Sequence, residues 1–289
     1  MPAACPVSPA FSRESLIQVA RQLPADLRVL SQLGDLLQDP NSELDAISAL
    51  LRRDLALAAR IVRIGNSAAY GGGVRIASVE EAVNRVGFGE ILKLVGTAVA
   101  ARCTDLALPA YGVGANKLCH NMLYGAIAAE ALARVTGLDP RVAYTAGLLR
   151  PFGLTVLDHA CRTLIPPVPV YDRRFWPSYS AWEERHFGLL SKDAAAMILE
   201  AWRFPAEVAV AQRSHYLTAD EHWDHPLAVL LNVANSLAAR VARGFAGEEI
   251  HWVLTSEKLA RAGIPEEELE PLIIAVESGF EAAVAALAA

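Results

Sequence analysis

Histidines, cysteines and arginines are the first residues to weigh for chemistry. His120 directly follows Cys119, a pairing that could suggest a thiolate and its base. On a helix, neighbours point about 100° apart, so these two side chains would not meet. His120 alone could be a metal ligand, but a lone helical histidine is more often hydrogen-bonded in or near the core. His222-Trp223-Asp224-His225 brings ligand-type side chains close together, yet it lies beside Pro226, where a solvated turn is the plainer reading. Arg150 follows Leu148-Leu149 in an apolar stretch. Its fixed charge suits an internal ion pair, with Asp158 or Glu184 as partner, or else a bound phosphate or carboxylate. Arg52, Arg53, Arg60 and Arg63 form a local basic cluster, by default a solvated face and otherwise a site for an acidic partner or anionic ligand. Gly71 to Gly73 is no phosphate loop, because neither a strand before it nor a Lys-Ser/Thr after it is present.

The elements that must position these residues read as helices. Hydrophobic residues make up 53% of the 289, which excludes a disordered chain, and alanine and leucine outweigh strand-type runs. From Asp54, an N-cap type, Leu57, Ala58, Ile61 and Ile64 recur at helical spacing, and Gly65-Asn66-Ser67 permits the left-handed turn that closes the helix. Arg60 and Arg63 lie off that apolar stripe, and Tyr70 follows its exit. Ser78 and Glu81 form a capping box. The spacing predicts further helices over 12–22, 26–37, 42–51, 90–104, 115–135, 140–162, 180–187, 191–203, 205–216, 226–243 and 265–287, with a short one after Thr255. Residues 165–177 are proline-rich and predict a loop, and 108–114, with Pro109 and two glycines, predicts a boundary. The expected architecture is all-α, a bundle of about a dozen helices, with a tail over 1–12 and two packed subdomains over 13–108 and 113–289.

The net charge of −6 argues against wholesale nucleic-acid binding. No apolar run reaches membrane length, and the first residues lack a basic region ahead of an apolar core, so neither a membrane span nor a secretory leader is expected. Cys5, Cys103, Cys119 and Cys161 form no CxxC, which fits reduced thiols in a cytoplasm.

Pro24, Asp39-Pro40, the Asp54 helix, Asn66-Ser67-Ala68-Ala69-Tyr70-Gly71, Glu81-Ala82 and Val86-Gly87 resemble the first half of an HDOD domain, the HD-related output domain of bacterial signalling proteins. The second half agrees through His120-Asn121, Ala146-Gly147-Leu148-Leu149 and Trp202-Arg203-Phe204-Pro205. The resemblance covers roughly 23–216 and implies an all-helical HD-like fold. HD hydrolases hold metal ions with histidines and carboxylates, and the metal turns a bound water into a nucleophile. Here the resemblance puts Arg150-Pro151 in place of the His-Asp pair, Ser191 in place of a later histidine and Asn235 in place of the final aspartate. His120 and His215 remain. A guanidinium cannot ligate a cation and proline has no donor atom, so no catalytic residue, metal or other cofactor is expected. The resemblance implies a cytoplasmic, non-catalytic bacterial regulator whose partners are signalling proteins. Arg60, Arg63, Asn66, Tyr70 and Arg150 are the expected partner or ligand contacts. The alternative is a sensor that holds a nucleotide, cyclic dinucleotide or other anion in the former active-site cavity, and behind it a residual metal-dependent phosphohydrolase.

Overall fold

The computed structural model describes residues 11–22, 62, 66, 78, 81, 107–165 and 169–288. Among them there is no strand, and the sole β feature is an isolated antiparallel bridge between Leu108 and Val113. Everything else regular is helical, as the residue pattern predicts.

Helix α1 (Arg13–Gln22) starts where Ser12 accepts from the Ser15 N–H at 3.1 Å, and it buries Leu16, Val19 and Ala20. The bridged turn at 108–113 encloses a short 3-10 helix, Pro109–Tyr111, and turns back at Gly112, whose φ of 67° suits a residue without a Cβ. It delivers the chain into α2 (Ala115–Thr136), the longest helix described. Helix α3 (Pro140–Leu149) is opened by Asp139, which accepts from the Arg141 N–H at 2.8 Å, with proline in the first turn. Helices α4 (Phe152–Leu164), α5 (Tyr179–Phe187), α6 (Ser191–Ala201), α7 (Ala206–Ser214), α8 (Pro226–Arg240), α9 (Ser256–Ala262) and α10 (Leu269–Ala288) follow.

The sequence predicts one helix over 140–162; the structure breaks it into α3 and α4 at Arg150-Pro151. Pro151 has no N–H to give the ladder, and the Arg150 N–H settles on the Gly147 carbonyl at 3.3 Å. Three predicted helix ends, at 203, 216 and 243, are reached two to three residues early, close to positive φ values at Arg203, Leu217 and Ala242. The Ser78–Glu81 pair holds as a cap, with the Glu81 N–H on Ser78 Oγ at 3.0 Å. The predicted helices over 26–37, 42–51 and 90–104 lie outside the described residues.

Helix α8 is buried from Leu227 to Ala238, so it is surrounded rather than amphipathic. It packs against α2, α7 and α9, while α2 lies along α3 and α10. Helix α1 lies on α4 and α6. The α2–α3 crossing is close because it is made of glycine: a Cβ on Gly147 would stand 2.4 Å from the Gly125 carbonyl oxygen, whereas one on Gly125 would stand 3.3 Å from that of Gly147. Gly147→Ala is therefore expected to lower stability by about 2–3 kcal/mol, and Gly125→Ala by clearly less. Urea denaturation of both variants checks this; equal losses would show that the helices can slide apart at no cost.

Candidate functional site

The break between α3 and α4 places Arg150 at a helix end with its side chain inside the bundle. Arg150 Nη1 donates to both Glu248 oxygens at 2.5 Å, and Nη2 donates to Asn121 Oδ1 at 2.8 Å. The two charged side chains are 2% and 1% exposed. Asn121, on α2, passes the chain of bonds on by donating to the Arg243 carbonyl at 2.9 Å. Tyr216 donates its hydroxyl to Glu248 Oε1 at 2.7 Å. The guanidinium also sits 5.1 Å from the Phe245 ring centre and 5.4 Å from that of Trp252. A buried cation is thus neutralised by one carboxylate, oriented by an amide and covered by two aromatic faces.

His215 ends α7 beside this pair. Its Nδ1 lies 2.6 Å from the Gln212 carbonyl, which can only accept, so Nδ1 carries the hydrogen. Its Nε2 is buried without a partner. Burial, and next the Arg150 charge, hold the imidazole well below its ordinary pKa. His251 stacks on Tyr216 with ring centres 4.0 Å apart and is pushed down to about 4, by burial first and then by Lys258 and Arg150. Burial, then Glu248, pushes the Tyr216 hydroxyl up.

A second buried acid lies nearby. Glu183, on α5, accepts from the Tyr111 hydroxyl at 2.8 Å and from the Ser191 N–H at 2.8 Å. Burial raises its pKa to about 7 against those two hydrogen bonds, and the Glu248 charge adds to the rise. Sequence reasoning passes over both Glu183 and Glu248. Glu183 was legible, since it falls within the apolar stripe of Tyr179, Trp182 and Phe187.

Of the residues singled out in the sequence, Arg150 and His215 come together; the others part. His120 is exposed and meets Phe280 edge-on at 5.4 Å, while the next residue, Asn121, faces Arg150. Cys119 is buried whereas His120, about 100° around the same helix, is exposed. Pro151 is buried as the N-cap of α4. Ser191 opens α6 and meets Glu183 through its backbone. Asn235 is buried in α8 and donates to the Leu231 carbonyl at 2.7 Å. Asn66 donates its side-chain N–H to the Val62 carbonyl at 2.8 Å, a turn-closing contact. Arg60, Arg63 and Tyr70 lie outside the described residues. The sequence expects Asp158 or Glu184 as the counter-ion of Arg150, and the structure corrects this to Glu248, which lies across the bundle; Asp158 instead accepts from the Ala110 N–H at 2.8 Å and pairs with Arg162 at 2.9 Å. The His222–His225 stretch forms a 3-10 helix over Asp220–Asp224, and among the described residues no group of three or more His, Cys, Asp or Glu is placed to hold a metal ion.

Residues 23–218 match the profile of the HDOD domain, about two thirds of the chain. The chain belongs to the HDOD family. Arg150, Asn121, His215 and Tyr216 fall inside the matched HDOD span, whereas Phe245, Glu248 and Trp252 come from beyond it. No curated protein matches this HDOD chain in sequence. Solved structures similar to it include an HDOD domain protein of unknown function from Geobacter sulfurreducens, 20% identical, with TM-score 0.62 over 93% of this chain and 99% of that one. A candidate phosphohydrolase from Shewanella amazonensis is 20% identical, with TM-score 0.60 over 93% and 96%. A candidate signal transduction protein from Marinobacter aquaeolei is 22% identical, with TM-score 0.64 over 96% of this chain and 60% of that one. They share the all-helical HDOD-type fold. Among the described residues no helix is long and apolar enough to cross a membrane.

The metal of HD hydrolases does not fit this donor set. Arg150 cannot ligate, Glu248 spends both oxygens on Arg150, His215 offers a single nitrogen, and His120 faces outward.

Proposed function

We propose that this HDOD protein is a non-catalytic bacterial regulator that works in the cytoplasm through protein–protein contacts. One observation carries the reading. Where the resemblance puts a metal-binding His-Asp pair, the chain has Arg150, and Arg150 is locked to Glu248 inside the bundle. A cation entering that place would meet a fixed like charge and, among the described residues, no cluster of carboxylates and imidazoles placed to hold it. The Marinobacter neighbour is described as a candidate signal transduction protein, and the same kind of role is proposed for this chain. We assign the partner contacts to Arg60, Arg63, Asn66 and Tyr70, because the basic and aromatic residue types among them suit an acidic partner surface.

The Shewanella neighbour makes hydrolysis the rival reading, so the test addresses it directly. Protein purified without chelator is expected to carry no stoichiometric transition metal and to show no turnover of bis(p-nitrophenyl) phosphate with added manganese, iron or zinc. Bound metal together with turnover that His215→Ala abolishes would overturn the proposal. A partner captured from the host is expected to be lost on Arg60→Glu/Arg63→Glu.

A further inference from the structure

Beside the buried pair lies an open cleft of about 750 Å³, a size typical of small-ligand sites. Tyr111, Tyr179 and Phe245 line it on one side, the 170–175 loop on another, and Gly112 and Gly114 border it. The loop is tied by hydrogen bonds to the 108–113 turn and within itself. The Tyr171 N–H donates to the Ala110 carbonyl at 2.7 Å, the Phe175 N–H to the Asp172 carbonyl at 3.0 Å, and Arg174 clamps the Asp172 carboxylate. On this loop Phe175 stands 76% exposed and Val170 61%, so two large apolar side chains are presented to the cleft region rather than buried. Gly114 has ordinary dihedrals, φ −73° and ψ 154°, and a Cβ there would meet no atom within 4 Å. Neither backbone strain nor packing calls for glycine at that position; it leaves the cleft open.

The charges at the cleft are of one effective sign. Asp172, its acid, is already bound by Arg174. Lys117 gives one hydrogen to the Ala242 carbonyl, and an ammonium has three donors. Arg173 has Glu249 3.8 Å away, with both side chains largely exposed, a pairing that solvent makes weak. An incoming anion could therefore recruit Lys117 and Arg173 at little cost.

We propose that this cleft binds a small molecule carrying a flat aromatic ring and one anionic group, with the ring against Phe175 and Tyr171 and the anion toward Lys117 and Arg173. The site is separate from the former metal position and does not depend on whether the protein is catalytic. It touches the buried pair all the same: Phe245 lines the cleft and lies under the Arg150 guanidinium, and Glu248 is three residues on. Occupancy would thus bear on the segment that supplies the counter-ion.

Two probes of this chemistry test the site on the full chain: anilinonaphthalene sulfonate by fluorescence and adenosine monophosphate by calorimetry. At least one is expected to bind saturably at one per chain, more weakly as salt rises. Gly114→Leu, which puts a side chain into the open space, and Phe175→Ser/Arg173→Ala, both at exposed positions, are each expected to weaken binding about tenfold or more. Ile274→Ser removes an equally exposed apolar residue on α10 and is expected to leave binding unchanged. Melting curves confirm that the variants fold. Binding of neither probe, binding that survives both cleft variants, or a loss of the same size in Ile274→Ser would overturn the proposal.

Discussion

Glu248→Ala is expected to destabilise the protein by about 3–5 kcal/mol, among the largest losses available to any single substitution in the bundle. The guanidinium of Arg150 would stay buried with only Asn121 and two aromatic rings for company, and Tyr216 would lose the acceptor of its buried hydroxyl. Arg150→Met should cost a similar amount for the mirror reason, since it strands a carboxylate that is 1% exposed. The double change Arg150→Met/Glu248→Leu removes both charges and keeps the volume, so most of the loss should return. Urea midpoints of the four proteins, compared at equal slope, measure the coupling. A cost below about 1 kcal/mol for either single change would mean that water reaches the pair. The cycle also bears on function: a double variant that folds but no longer binds the partner would assign the pair to recognition rather than stability.

This pair shows where sequence reading stops. Arg150 was legible as a charge in an apolar helix in need of a counter-ion, because period and composition are local signals. Its partner was not, because Glu248 lies 98 residues away in a connection without periodicity. Asp158 and Glu184, acids on predicted helices, are the counter-ions that a local reading can reach. The kink at Pro151 was legible and was overridden by the hydrophobic run on either side, although a proline inside a helical pattern ends the preceding helix. The difference between His120 and Asn121 has a similar origin. Both fit a helix, but the buried stripe of Leu118, Met122 and Gly125 shares its face with Asn121. The Ser78 cap was legible because a cap is decided by four consecutive residues, and the structure adds caps of the same kind at Ser12, Asp139, Ser178 and Thr255 that the periodicity alone does not single out.

Glu183→Gln is expected to change the pH dependence of stability more than any other single substitution at an acid described here. Burial lifts the Glu183 carboxyl from 4.5 to about 7 in the folded protein. A raised folded value means that the native state holds the proton more tightly than the unfolded chain. The stability it contributes is complete below pH 4.5 and is lost as pH climbs through about 7. Between pH 5 and pH 8 that loss amounts to roughly 2–3 kcal/mol in the wild type. Glutamine cannot ionise, so the variant should lack this decline, and its stability relative to wild type should improve by that amount across the same interval. The amide sets an N–H₂ against one of the two donors, Tyr111 or Ser191, which lowers stability by a constant and leaves the slope untouched. His215 and His251 act in the opposite direction. Their folded values are depressed, so their contribution is present above pH 6.5 and falls away in acid, in both proteins alike. Denaturant melts at half-unit pH steps isolate the Glu183 part as the difference between two curves. A difference that does not change with pH would mean that the carboxylate stays ionised, held by its two donors. Tyr111→Phe supplies the second check: it removes a hydrogen bond that favours the charged form, so the decline should move to higher pH, and a shift the other way would contradict the assignment.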